Sequence, residues 1–109
     1  MKYRAATFRK LPASAMALYP FILFKDQQAR NNQQIIRHEL IHFRQQLELL
    51  ILPFYLLYLL HYLLNLVIYR NHHRAYMHIC FEQEAYEHDS NPQYLTTRKP
   101  YAWLKKFVL

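Results

Sequence analysis

From Asn31 onward apolar side chains return at helical intervals: Ile36, Leu40, Phe43, Leu47 and Leu50 step by three and four, while His38, His42 and Gln45 fall on another face. The pattern predicts an amphipathic helix over residues 31–52, opened by Asn31 with Gln34 as a weak capping box. Pro53 bends or ends it, because proline has no N–H to donate and disfavours helical angles at Leu52. From Leu49 to Tyr69 no side chain carries a formal charge. Residues 54–69 therefore predict a second helix, apolar nearly all round except for a stripe of Tyr58, His61, Tyr62, Asn65 and Tyr69. "RNHHR" reads as a loop, and residues 74–89 predict a third helix with His78, Glu82 and Tyr86 stacked at four-residue steps.

The flanks follow other patterns. Residues 1–10 and 16–25 read as extended segments joined around Pro12, favoured by aromatic and β-branched residues, with Pro20 confining the second to a sheet edge. "DQQARNN" is polar and turn-like. Ser90-Asn91-Pro92 is a turn and helix start, and "YAWLKKFVL" gives residues 91–109 the composition of an amphipathic tail suited to a membrane interface. The expected fold is α+β, mainly α. A β-element over 1–25 with an edge hairpin precedes the 31–52 helix, the apolar helix, the 74–89 helix and the tail, and the chain reverses at Pro53.

Composition narrows this further. A chain of 109 residues makes one domain with a small core, so a metal, a membrane or a partner is expected to support it. With no glycine, turns rely on Pro, Asn, Asp and Ser, and a positive φ falls on Asn or is strained. The single cysteine, Cys80, excludes an intrachain disulfide framework and suits a reducing compartment. The net charge of +7 fits nucleic acid or an anionic membrane. Leu and Tyr density favours the membrane; the cations are dispersed and no nucleic-acid motif accompanies them. Basic residues stand on both sides of the apolar stretch, so charge does not set its orientation. No small-residue site follows the run from Leu11 to Phe24, so no cleaved signal peptide is expected.

The chemistry lies in "HELIH". His38 and His42 are four apart on a helix and offer two imidazole nitrogens to one ion about 2 Å from each. Glu39 is not needed as a ligand, so it can take a proton from a water the metal acidifies. Such a pair needs a third protein ligand and an open fourth position. Glu82, Glu84 and His78 on the third helix are the candidates. The simpler roles are a solvated carboxylate for Glu84, an interfacial or hydrogen-bonded histidine for His78, packing for Cys80, a solvated loop for His72 and His73, and a continued polar face for Gln45 and Gln46. His61 and Asn65 are costly in an apolar helix and turn toward protein or water. They either bond between helices, or one of Tyr58, His61, Tyr62 and Asn65 lines a cleft and steadies an oxyanion.

HExxH followed about 40 residues later by "FEQEAY", with Glu82 and Ala85 in the ExxA relation, resembles the gluzincin class of zinc metallopeptidases. The chain is also similar to minimal gluzincins and to small membrane-associated HExxH proteins of bacteria, over roughly residues 16–90. The resemblance implies His38, His42 and Glu82 as Zn2+ ligands, Glu39 as general base, and a peptide or protein substrate held along an edge strand. The expected location, beside that resemblance, is the cytoplasmic face of a bacterial inner membrane. Where the class often has Asp or Asn directly after ExxA, this chain has Tyr86, so the pattern does not identify the acceptor behind the metal-bound imidazoles. The expected function is a membrane-associated zinc metallopeptidase. The alternative is a catalytically silent membrane adaptor whose zinc only staples a small core; an open fourth coordination position separates the two.

Overall fold

The computed structural model describes residues 2–107. Position 1 of the predicted β-element and positions 108 and 109 of the predicted tail lie outside the described residues. Strands β1 (Arg4–Thr7), β2 (Ala15–Leu18) and β3 (Phe21–Phe24) form one sheet in the order β1-β3-β2. β3 pairs parallel to β1 and antiparallel to β2, with Ala17 opposite Ile22. The hairpin therefore lies within residues 15–24, and Pro20 sits in its turn, not in an edge strand as the sequence suggested. That is where a residue lacking an N–H removes no bond from the ladder.

The helices are α1 (Gln27–Arg30), α2 (Gln33–Glu48), α3 (Leu52–Tyr69), α4 (His72–Met77), α5 (Cys80–His88) and α6 (Tyr94–Thr97), followed by a 3-10 turn at Leu104–Lys106. The fold is thus α+β and mainly helical. Asp26 caps α1 inside the stretch read as turn-like. Asn32, not Asn31, caps α2, its side chain accepting from the Gln34 and Ile35 amides. The predicted third helix is two helices. Ile79 is extended between them and fully buried, and the Cys80 amide at the start of α5 donates to His61 Nδ1 at 3.1 Å. A side chain from α3 thus satisfies a helix-start N–H that would otherwise be orphaned in the core.

The chain reverses between α2 and α3. The break falls at Leu49–Ile51, ahead of the proline, with φ of 61° at Leu50 and 67° at Ile51. Positive φ costs a non-glycine residue roughly 1–3 kcal/mol, and Ile51, with ψ of −70°, is the centre of a strained γ-turn. The turn is closed by bonds from the Ile51 amide to the Gln46 carbonyl at 2.7 Å and from the Leu52 amide to the Leu50 carbonyl at 2.8 Å. Pro53 then occupies the first turn of α3, where its missing N–H is not needed.

Two apolar cores result. One packs Ala15, Ala17, Ile22 and Phe24 of the sheet against Ile36, Leu40 and Phe43 of α2. The other gathers Phe54, Ile79, Cys80, Phe81 and Trp103. Trp103 was expected at a membrane interface, but it is buried, its ring 4.9 Å from Phe81 and its indole N–H donating to Glu48 at 3.1 Å. The polar face of α2 lies between the two cores, which places a row of buried polar side chains at the centre of the molecule.

Candidate metal centre

On that face, helical spacing brings the His38 and His42 rings to 4.9 Å between centroids. Glu82 arrives from α5, with Oε1 3.0 Å from His38 Nε2 and 3.1 Å from His42 Nε2. All three residues are buried. Their ligand atoms lie within 4.8 Å of one another, and among the described residues the cluster has no fourth member. A group of this kind can hold a metal ion.

Both imidazoles are locked from behind. His42 Nδ1 lies 2.7 Å from Gln45 Oε1, while Gln45 Nε2 donates to the Phe81 carbonyl at 3.1 Å and to Glu84 Oε1 at 2.9 Å. Two acceptors on the amide nitrogen fix its orientation, so the oxygen faces His42 and Nδ1 must carry the proton. His38 Nδ1 donates to Asp89 Oδ2 at 2.9 Å; Gln34 donates to Asp89 Oδ1 at 2.9 Å. Both Nε2 lone pairs therefore point at the Glu82 carboxylate. Bare lone pairs and an anionic oxygen repel at that separation, so a cation belongs between them, either a proton or a metal ion.

The electrostatics follow from this. Burial opposes a charged imidazole, but the Glu82 carboxylate outweighs it and raises His42 to about 9. Burial likewise pushes Glu82 up, yet His42 and His38 hold it well below the usual carboxylate range. A tetrahedral ion with bonds of about 2.0–2.1 Å separates its ligand atoms by about 3.3 Å. The observed 3.0 and 3.1 Å from Glu82 to the imidazoles fall just short of that and all three atoms lie within 4.8 Å of one another, so these residues would hold an ion once the side chains readjust around it. A second contact steadies the carboxylate: Tyr58 on α3 donates to Glu82 Oε2 at 2.6 Å. Burial, then the Glu82 charge, push this phenol far above its ordinary value, so it stays a neutral donor.

Glu39 is buried beside the cluster and contributes no ligand atom to it. Burial raises its carboxyl above the ordinary value, against His42, His38 and a backbone hydrogen bond from Ala17 on β2. A cleft of about 240 Å³ opens over Glu39, His42 and Phe54, and a neighbouring lobe of about 270 Å³ runs past Ser14, Gln34 and Asp89. Ala15, His38, Glu39 and Tyr76 line both, so together they form one elongated groove along β2.

The other candidates lie elsewhere. Glu84 is no solvated carboxylate: it is buried and gripped by Arg98, whose Nη2 lies 3.0 Å from Glu84 Oε1, while the same guanidinium also holds Glu48 at 2.9 Å. Tyr94 donates to Glu84 as well, at 2.6 Å. His78 bonds the Arg74 carbonyl at 2.7 Å and stacks on Tyr69. His61 and Asn65 bond between helices, Asn65 to the Ala75 carbonyl at 3.2 Å. Tyr62 meets His72, which belongs to α4 and not to a loop, so of the four side chains weighed for the cleft only Tyr58 lines it. Gln46 does more than continue a polar face, since it pins β2 through the Ala17 carbonyl and the Tyr19 amide. Sequence reasoning missed Asp89, Gln45 and Tyr76. Asp89 is one helical turn beyond Ala85, the only signal that pointed to it. Comparisons with family models, curated proteins and solved structures return no match for this chain.

Proposed function

We propose that the chain is a minimal zinc-dependent peptidase that works while attached to a membrane through α3. The observation that carries this is the convergence of His38 Nε2, His42 Nε2 and Glu82 Oε1, each oriented from behind, beside a buried carboxylate that is not among them. Two nitrogens and one oxygen suit zinc. Held by His38, His42 and Glu82, a zinc ion would supply an acidified water and polarise a carbonyl. Glu39 would take the proton of that water and hand it to the leaving amine, a task helped by burial raising its carboxyl above the ordinary value. Tyr76, which lines both lobes and is kept neutral first by burial, is the donor we assign to the developing oxyanion. The elongated groove along β2 suits an extended peptide. A ligand set of three with no fourth member among the described residues favours this reading over a structural staple. We place the protein on the cytoplasmic face of a bacterial inner membrane: its one cysteine is buried and unpaired, and its surface is cationic.

The test is hydrolysis of a quenched-fluorescent peptide library by zinc-loaded protein. Wild type is expected to turn over, and Glu39→Gln to keep its zinc while losing at least about 100-fold in rate, the scale of general-base catalysis. Equal activity in the two proteins removes Glu39 as the base.

A further inference from the structure

α3 has two faces with different fates. Phe54, His61 and Asn65 are buried, whereas Leu52, Leu56, Leu59, Leu60, Leu63 and Val67 are each between 47% and 75% exposed. At 100° per residue this set forms one continuous stripe opposite the buried set, and of the helix's exposed large hydrophobics only Ile68, 52% exposed in the last turn, lies off it. The helix has the length and hydropathy to cross a membrane. Its neighbours make such a crossing untenable. Phe54 packs on Phe81 at 4.6 Å, Tyr58 bonds Glu82, His61 bonds the Cys80 amide, Asn65 bonds the Ala75 carbonyl, and Tyr69 stacks on His78 at 4.2 Å. Segment 72–82 thus accompanies α3 over nearly its whole length, about 22 Å from Phe54 to Tyr69. That segment carries His72, His73 and Arg74 on the surface. A spanning α3 drags these groups, and the Glu82 cluster, through hydrocarbon that solvates none of them.

Charge says what covers the stripe. Of the seven acidic residues only Asp26 and Glu87 are exposed, whereas nine of the fourteen Lys and Arg are. The interior consumes most of the anions, so cations outnumber anions nine to two among the exposed residues, against fourteen to seven in the whole chain. Arg70 ends α3, with Arg74 over the Tyr69 ring at 5.5 Å. Lys99 follows Arg98, which grips Glu48 at the end of α2. Cations therefore stand at the C-terminal end of the leucine stripe, and exposed Lys99 belongs to the segment tied to Glu48, which precedes the start of the stripe. A second copy of this chain fits that arrangement poorly, because like charges meet across the interface.

We propose that α3 lies in the plane of an anionic bilayer, its leucine stripe among the acyl chains and Arg70, Arg74 and Lys99 at headgroup level. This rests on the membrane reading above and on nothing in the zinc chemistry. Because Phe54, Tyr55 and Tyr58 line the groove from the same helix, the groove stands about one helix diameter, roughly 10 Å, above the embedded leucines. Peptide segments emerging from the same bilayer come within its reach.

The test uses the full chain in a Cys80→Ala background, with single spin-labelled cysteines at Leu52, Leu59, Leu63 and Val67 in turn. Depth is read from oxygen and nickel-chelate collision rates on phosphatidylcholine vesicles with and without phosphatidylglycerol. In-plane α3 gives one shallow depth at all four positions. Binding is expected to be on the order of 100-fold tighter with phosphatidylglycerol, from roughly fivefold per cation, and to fall as salt rises. Leu59→Glu with Leu63→Glu, both on the exposed stripe, abolishes binding and leaves the circular dichroism unchanged. A depth that passes through the bilayer centre from Leu52 to Val67 overturns the in-plane inference and leaves the membrane reading standing. Failure to bind either vesicle overturns both, and so does a stable dimer that buries the labels without lipid.

Discussion

Asp89 is the least conspicuous residue of the candidate site and among the most consequential. Its Oδ2 accepts from His38 Nδ1 at 2.9 Å and its Oδ1 from Gln34 at 2.9 Å. In Asp89→Asn the amide oxygen can still accept from the imidazole, but the new NH2 meets the Gln34 donor and the anion is gone. A hydrogen bond to a charged group contributes roughly 1.5–3 kcal/mol and a neutral one about 1 kcal/mol. The loss of about 1–1.5 kcal/mol translates into zinc affinity weaker by roughly 5- to 12-fold. Asp89→Ala removes the acceptor altogether and is expected to cost roughly 10- to 100-fold. Chelator competition on purified protein measures both, and thermal unfolding of the metal-free forms separates lost ligand support from lost fold. Zinc affinity within about twofold of wild type in both variants refutes the idea that Asp89 orients His38, because a buried Nδ1–H without its acceptor cannot be neutral.

Glu82 and Glu84 should part company. Glu82→Ala is expected to abolish stoichiometric zinc, whereas Glu84→Ala costs about 3 kcal/mol of stability by leaving Arg98 buried with one partner fewer; zinc titration and denaturant unfolding read the two effects. Tyr58→Phe frees Glu82 Oε2 from its 2.6 Å donor, and zinc affinity is expected to fall roughly 10-fold by chelator competition. Burial raises the Glu84 carboxyl, but Arg98, Gln45 and Tyr94 outweigh it and hold the folded value below 4.5. Its stabilising contribution is therefore full above that pH and is lost as pH falls through the depressed value; Glu84→Gln should flatten the acid limb of Tm against pH.

The helices were legible because their apolar spacing is strong, and HExxH with ExxA identified the three atoms that converge. The reversal between α2 and α3 was foreseen but assigned to Pro53; its chemistry was not foreseen. Without glycine the chain bends at Leu50 and Ile51, two residues whose side chains gave no warning of a left-handed backbone. The split between α4 and α5 was invisible because its cause is distant: His61, on another helix, receives the Cys80 amide. The same holds for the site's outer layer. Gln45 continues a polar face in one dimension, and only the fold shows its amide held by Phe81 and Glu84 so that its oxygen meets His42. Trp103 beside two lysines resembles an interfacial anchor by composition, yet Glu48 offers its indole a partner indoors.

Zinc K-edge X-ray absorption on the purified chain decides whether His38, His42 and Glu82 make an open site. The expected spectrum has two imidazole nitrogens at about 2.0–2.1 Å, one carboxylate oxygen at about 2.0–2.2 Å, one further oxygen from solvent, and no sulfur. His42→Ala should leave too little bound zinc to record. A wild-type protein without stoichiometric zinc, or with a third imidazole closing the coordination shell, contradicts the open three-ligand site and the hydrolytic function built on it.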